Sequence, residues 1–317
     1  MRRLLADKMT GKENSVSGLP LLGTGRTAEI YALDEKLALK LYFRQIPREN
    51  AVRNYHLLQA SREAGIPVPA VYEMVKVCDR DGMIMERLEG ESVDELIAGA
   101  GQPDRGRITA HFADCVRQVH QVRVEKEHLK DLLPDQKERS LELADAMTGA
   151  GFTEEERNAA CEILASLPDC DTWIHGDCHT GNVVLCGEEP VFFDLNIFTG
   201  RGHPLLDLMC MYSHYIFHPS LMREEEVFQY LGMSSQEGRD VYDRFLEAYT
   251  RDQQDPGQES LRKLRSDIIF VHAARICIMA ALNPRLFSPR AVEKARKKLN
   301  CRWMQKNAEE TFPSPAG

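Results

Sequence analysis

From Leu21 to about Tyr42 short apolar stretches are cut by glycine, and Leu37-Ala38-Leu39-Lys40-Leu41-Tyr42 alternates with period two. That pattern predicts strands joined by tight turns, with Ala38 and Lys40 sharing one face. Pro47 stands where a first helical turn tolerates proline, Ala51, Tyr55 and Leu58 recur at helical spacing, and Gly65 stops the helix. After the rigid connector Gly65-Ile66-Pro67-Val68-Pro69, strands are predicted over Ala70 to Val77 and Gly82 to Leu88, about the turn Asp79-Arg80-Asp81-Gly82. Up to Gly90 the chain reads as a small β-rich lobe with one helix.

Helical patterning takes over beyond Gly90. Ser92 with Glu95 spells a capping box, and Ile108, Phe112, Cys115, Val116 and Val119 form one apolar stripe. Two β-type runs, Asn182 to Leu185 and Val191 to Asp194, interrupt the helices as a hairpin turning at Cys186 to Pro190. After Pro204 helical patterns resume to about Asn300, and the proline-bearing tail from Thr311 to Gly317 is expected to be disordered.

Composition narrows the functional classes. A formal charge of -9, from 40 Lys and Arg against 49 Asp and Glu, disfavours a surface that gathers nucleic-acid backbone. Nine scattered cysteines without a CxxC pair read as reduced thiols, hence a cytoplasmic location. The opening Met1-Arg2-Arg3-Leu4-Leu5 breaks at Asp7 and Lys8, too soon for a signal peptide, and no run approaches membrane-spanning length, so no membrane partner is expected.

The most specific stretch is Trp173-Ile174-His175-Gly176-Asp177-Cys178-His179-Thr180-Gly181-Asn182, with Phe192-Phe193-Asp194 beyond the hairpin. Phosphoryl transfer needs a carboxylate that orients or deprotonates the attacking hydroxyl, and oxygen ligands that hold Mg²⁺ against nucleotide phosphates. Asp177, Asn182 and Asp194 suit those roles. The constellation resembles the aminoglycoside phosphotransferase and choline kinase-like small-molecule kinases, whose hallmark is an HGDxxxxN loop followed, after two short strands, by a metal-binding Asp.

The resemblance implies an α+β, two-lobed protein-kinase-like fold: a small β-rich N-lobe and a larger helical C-lobe carrying an inserted β-hairpin. Residues 1–88 would form the nucleotide-binding lobe, 89–310 the helical lobe with catalytic loop and acceptor site, and 311–317 a tail. It implies Asp177 as catalytic base, Asn182 and Asp194 as Mg²⁺ ligands, His175 as a brace, Asp207 as a structural carboxylate, and ATP or GTP as donor to a small hydroxyl-bearing acceptor. In the first lobe, the turn Gly23-Thr24-Gly25-Arg26-Thr27-Ala28-Glu29 would lie over phosphates, Ala38 against adenine and Lys40 on the phosphates, while Glu86 and Leu88 would belong to the hinge.

The sequence departs from the family pattern where a first-lobe helix Glu would pair with the strand Lys. Asn54 occupies mid-helix, and the earlier Glu49 is taken as the substitute. Leu195 and Asn196 follow Asp194 in place of Phe-Gly, and His203 stands where Asp is common. Two other classes compete. A nucleotide-binding regulatory protein would keep the fold without transfer. A metal-dependent hydrolase would use the alternating His175, Asp177 and His179, but nothing upstream supplies the further Asp and His clusters it needs. Nucleotidyl rather than phosphoryl transfer is a further variant. Glu224, Glu225, Glu226, Asp252 and Asp255 are acidic groups able to attract an amine-bearing acceptor, although charged helix and loop surfaces usually do nothing so specific.

Overall fold

A computed structural model of the chain describes residues 16–251 and 258–311. Asp252, Asp255 and the 312–317 part of the expected tail lie outside the described residues. The chain divides into two units, 1–90 with 184–195, and 91–183 with 196–317.

The first unit is built on a five-stranded antiparallel sheet. Its strands are β1 (Leu21–Thr24), β2 (Ala28–Ala32), β3 (Leu37–Tyr42), β4 (Val71–Val77) and β5 (Arg80–Glu86), in the order β1-β2-β3-β5-β4. β3 is central, pairing Lys40 with Ile30 on one side and Met83 on the other. Residues 38 to 42 are all buried, so the period-two run is covered on both faces. Leu39, Leu41 and Val77 form a small apolar core beneath it. The β4–β5 turn is tighter than the expected Asp79 to Gly82. Cys78 and Asp79 both adopt left-handed backbone, φ +51° and +60°, and Val77 already pairs with Arg80. Left-handed backbone at both central residues matches the natural strand twist, which is why a two-residue turn suffices.

Helix α1 (Arg48–Glu63) starts directly after Pro47 and ends before Gly65, whose φ of +92° only glycine adopts without strain. It buries Ala51, Asn54, Leu57 and Leu58. The hairpin strands, β7 (Val183–Cys186) and β8 (Glu189–Phe192), follow later in the chain, yet 184–195 groups with this unit rather than with the helical one. The Phe192 N–H donates to the Pro67 carbonyl at 2.8 Å, which fixes the hairpin to the connector after α1.

The second unit is helical. Its elements are α2 (Val93–Gly99), α3 (Gln102–Val119), α4 (Glu127–Leu132), α5 (Gln136–Leu143), α6 (Glu154–Ala165), α7 (Leu205–Tyr212), α8 (Glu224–Leu231), α9 (Ser235–Thr250), α10 (Gln258–Leu282) and α11 (Pro289–Thr311). Ser92 Oγ accepts the Glu95 N–H while the Glu95 carboxylate accepts the Ser92 N–H, a complete capping box at the start of α2. The α3 stripe buries Phe112, Cys115, Val116 and Val119, and Phe112 meets Phe245 of α9 with ring centroids 5.6 Å apart. Within this unit β6 (Trp173–Ile174) pairs with β9 (Gly200–Arg201). That short ladder sets the entry to the residues that carry the chemistry. Among the described residues no helix is long and apolar enough to cross a membrane.

Candidate active site

In the first unit, chemistry gathers at the Lys40 ammonium. Lys40 is buried at 8% exposure, and its Nζ lies 3.3 Å from Asp194 Oδ1 and 3.4 Å from Asn54 Oδ1. Asn54 is itself committed. Its Oδ1 also accepts the Tyr42 hydroxyl at 2.9 Å, and its Nδ2 donates to the Leu195 carbonyl. The side chain thus bridges α1, β3 and the chain just past Asp194. Glu49, expected to pair with Lys40, is instead exposed in the first turn of α1. The helix presents Asn54 to the lysine because Asn54 shares the buried face with Ala51 and Leu58, while Glu49 does not.

Asp194 lies beyond the end of β8 with φ +59°, a left-handed conformation that Asp tolerates better than most residues. Its side chain is 56% exposed. Of the other first-unit candidates, Ala38 is buried beside Lys40 on β3. Gly23 lies in β1, paired with Ile30, and Gly25 in the β1–β2 turn, where its N–H donates to the Ala28 carbonyl at 2.9 Å. Glu86 closes β5, its carboxylate accepting the Ala70 N–H at 3.0 Å, and Leu88 is half-buried just beyond.

In the second unit the loop from His175 to Asn182 is held from beneath by one buried carboxylate. Asp207, in the first turn of α7, accepts the His175 N–H at 2.8 Å and the Gly176 N–H at 2.6 Å. His120 Nε2 lies 3.1 Å from the same carboxylate, and His120 Nδ1 bonds the Tyr249 hydroxyl at 2.8 Å. Burial alone would push the Asp207 carboxyl up, but His120 and the main-chain N–H groups outweigh it and hold it below its usual value. Gly176 has φ +81°, and a Cβ there would stand 2.1 Å from the Phe198 carbonyl oxygen. Only glycine fits the turn. The Gly176 carbonyl in turn accepts Arg275 Nη2 at 3.1 Å, with the buried guanidinium stacked on Phe198.

This scaffold leaves Asp177 half-buried with its main chain fully engaged. Its N–H donates to His175 Nδ1 at 3.2 Å, and its carbonyl accepts Asn182 Nδ2 at 2.9 Å. With its nitrogen so used, Asn182 keeps its side-chain oxygen for another partner. That oxygen and the exposed carboxylate of Asp194 are hard donors of the kind Mg²⁺ prefers. His175 and His179 both turn Nδ1 onto main-chain N–H groups, His179 onto Gly181 at 3.1 Å. Burial, with His214 stacked 4.7 Å away, pulls the His179 pKa down to about 4. Among the described residues no group of three or more His, Cys, Asp or Glu is placed to hold a metal, so the alternating His175, Asp177 and His179 do not assemble a hydrolase-type centre.

His120, Tyr249 and Arg275 carry no signal in the sequence for these supporting roles. Each lies far along the chain from the loop it supports, and nothing in its local pattern separates it from an ordinary helix-face residue.

Comparison with solved structures gives the fold. Aminoglycoside phosphotransferase APH(2'')-Ib in its ADP-bound form superposes with TM-score 0.57 at 15% identity, over 95% of this chain and 96% of that one. A thermostable mutant of APH(4)-Ia with ADP and hygromycin B gives 0.60 at 10% identity, over 95% and 97%. A putative fructosamine-3-kinase from Haemophilus somnus gives 0.55 at 14% identity, over 95% of each chain. The fold is therefore the kinase-like, α+β one. No curated protein matches the sequence. The model of the phosphotransferase enzyme family matches residues 19–264, most of the chain, and the protein belongs to that family of small-molecule phosphotransferases.

Proposed function

We propose that the protein transfers the γ-phosphate of ATP or GTP to a hydroxyl of a small molecule in an Mg²⁺-dependent reaction. The observation that carries this reading is the meeting of Lys40 with Asp194, 154 residues apart in the chain and 3.3 Å apart in space. A buried lysine beside an exposed carboxylate is what a nucleotide triphosphate with its cation requires.

In this reading Lys40, oriented by Asn54, aligns the nucleotide phosphates. Asp177 accepts a hydrogen bond from the acceptor hydroxyl and takes its proton as the oxygen attacks phosphorus. Asn182 and Asp194 would hold Mg²⁺, which supplies charge neutralisation on the phosphates. The main-chain bonds of Asp177 to His175 and Asn182 fix the backbone from which its carboxylate projects. The β1–β2 hairpin with Gly23 and Gly25 would cover the phosphates, Ala38 would face the base, and Glu86 and Leu88 would present main-chain groups to its edge.

Solved relatives of the fold carry aminoglycosides or are assigned to fructosamine, so hydroxyl-bearing amines head the acceptor classes to test. The experiment is a screen of sugars, amino alcohols, nucleosides and aminoglycosides for stimulated ADP release with Mg²⁺, with Asp177→Ala and Asp194→Ala alongside. Asp177→Ala is expected to lose roughly 10² to 10⁴ in rate while still binding nucleotide. Asp194→Ala is expected to lose transfer and the Mg²⁺ dependence of nucleotide binding. Pyrophosphate released in place of ADP, with AMP attached to the acceptor, would turn the reading to nucleotidyl transfer. Nucleotide binding without any turnover would turn it to a regulatory protein.

A further inference from the structure

A second carboxylate, Asp94, sits beside the loop and is absent from every role assigned above. It occupies the first turn of α2, next to the Ser92 cap. Three donors converge on its Oδ1: Thr180 Oγ1 at 2.8 Å, His214 Nε2 at 3.2 Å and the Tyr215 hydroxyl at 3.2 Å. Thr180 Oγ1 also lies 2.8 Å from the Tyr215 hydroxyl, so the two hydroxyls and the carboxylate share two protons within one cluster. His214 Nδ1 takes the Tyr230 hydroxyl at 2.8 Å, so Nε2 carries the proton that it gives to Asp94. Thr180, His214 and Tyr215 are all buried.

The position of this hub gives it meaning. Thr180 begins the three-residue 3₁₀ turn Thr180–Asn182, which carries the side chain proposed to hold Mg²⁺. The turn's own bonds are few: the Asn182 N–H donates to the His179 carbonyl at 2.9 Å, the Gly181 N–H to the His179 ring, and Asn182 Nδ2 to the Asp177 carbonyl at 2.9 Å. All three tie the turn only to the loop that leads into it. A three-residue turn containing glycine does not define its orientation by itself. Thr180, whose side chain is fully buried, links this turn to Asp94 and Tyr215 in the rest of the helical unit.

We infer that Asp94 is a positioning residue for the phosphotransfer reaction, which through Thr180 sets the orientation of the turn that presents Asn182 to the metal. This rests on the phosphotransferase reading, since without a metal at Asn182 the turn has nothing to present. Outer groups that orient a metal ligand typically govern affinity by about 10- to 100-fold although they never touch the ion.

The test is Mn²⁺ binding in the presence of ADP, followed by electron paramagnetic resonance on the full chain, for Thr180→Val, Thr180→Ser, Asp94→Ala and wild type. Thermal denaturation in parallel confirms folding. Thr180→Val, nearly isosteric, removes the hydroxyl, and Mn²⁺ affinity is expected to fall about tenfold. Thr180→Ser restores the hydroxyl and is expected to stay within about twofold of wild type. Asp94→Ala, where it folds, is expected to match Thr180→Val. Equal Mn²⁺ affinity in Thr180→Val and wild type overturns the inference and leaves the phosphotransferase reading standing. If wild type binds ADP but no Mn²⁺, the proposed metal site falls, and the positioning role falls with it. Loss of affinity in Thr180→Ser as large as in Thr180→Val would also overturn it, because the hydroxyl would then not be the operative group.

Discussion

His120 Nε2 lies 3.1 Å from the Asp207 carboxylate, so a histidine at the end of one helix steadies the group on which the loop preceding Asp177 rests. Asp207 also accepts two main-chain N–H groups of that loop. Asp207→Ala removes all three partners at once, leaving two buried N–H groups and a histidine without acceptors. Urea denaturation is expected to show a loss on the order of 3–5 kcal/mol. The carboxyl's folded pKa is below its ordinary 3.8. Its stabilisation is therefore complete above that value and is lost as pH falls through the lower folded one.

Asn54→Ala is expected to weaken ADP binding with Mg²⁺ by about tenfold, the effect of one hydrogen bond to a charged group. Glu49→Ala is expected to leave it unchanged. Isothermal titration of the two variants decides the matter, and a larger effect at Glu49 would mean that Lys40 changes partners when nucleotide binds.

Much of this was legible in the chain. The HGDxxxxN loop, Asp194 beyond its hairpin, the period-two strand with Lys40 and the Ser92 capping box are local patterns, written within a few residues. Asn54 stood in view, yet its role depends on which face α1 buries, and the helix spacing alone left Glu49 as plausible a partner. The grouping of 184–195 with the first unit was not legible, because a hairpin's pattern says nothing about what it packs on. Asp94 looked like an ordinary acidic residue in a helical first turn. Only the fold brings Thr180, His214 and Tyr215 to it.

Gly176→Ala forces a Cβ to 2.1 Å from the Phe198 carbonyl and a left-handed backbone on alanine. A stability loss of more than about 1 kcal/mol is expected from the backbone alone. Transfer activity should fall further than stability does, since the displaced residue adjoins Asp177. Comparing turnover at a temperature where the variant stays folded separates the two effects.

His272 is packed against Tyr212 and Phe217, and its Nε2 meets Ser213 Oγ at 3.1 Å. Burial pulls its pKa from 6.5 down to about 3. The unfolded chain therefore takes up a proton near pH 6.5 that the folded chain refuses, and stability falls as pH drops from 6.5 toward 3. Between pH 7 and 5 the loss from this one group is on the order of 1–2 kcal/mol. His272→Gln should flatten the melting-temperature profile across that interval, while a profile unchanged in shape would show that other groups govern it.

The segment 184–195 belongs with residues 1–90 although nearly a hundred residues of the other unit intervene. The first unit is therefore not a contiguous cassette. A gene fragment ending at Gly90 would omit Asp194, the Leu195 carbonyl that holds Asn54, and the Phe192 N–H that caps Pro67. Swapping donor-nucleotide preference between relatives by exchanging N-terminal coding segments would leave each hybrid with a lysine from one parent facing a carboxylate from the other. Recombination breakpoints that keep function should come in pairs, one early and one spanning the hairpin.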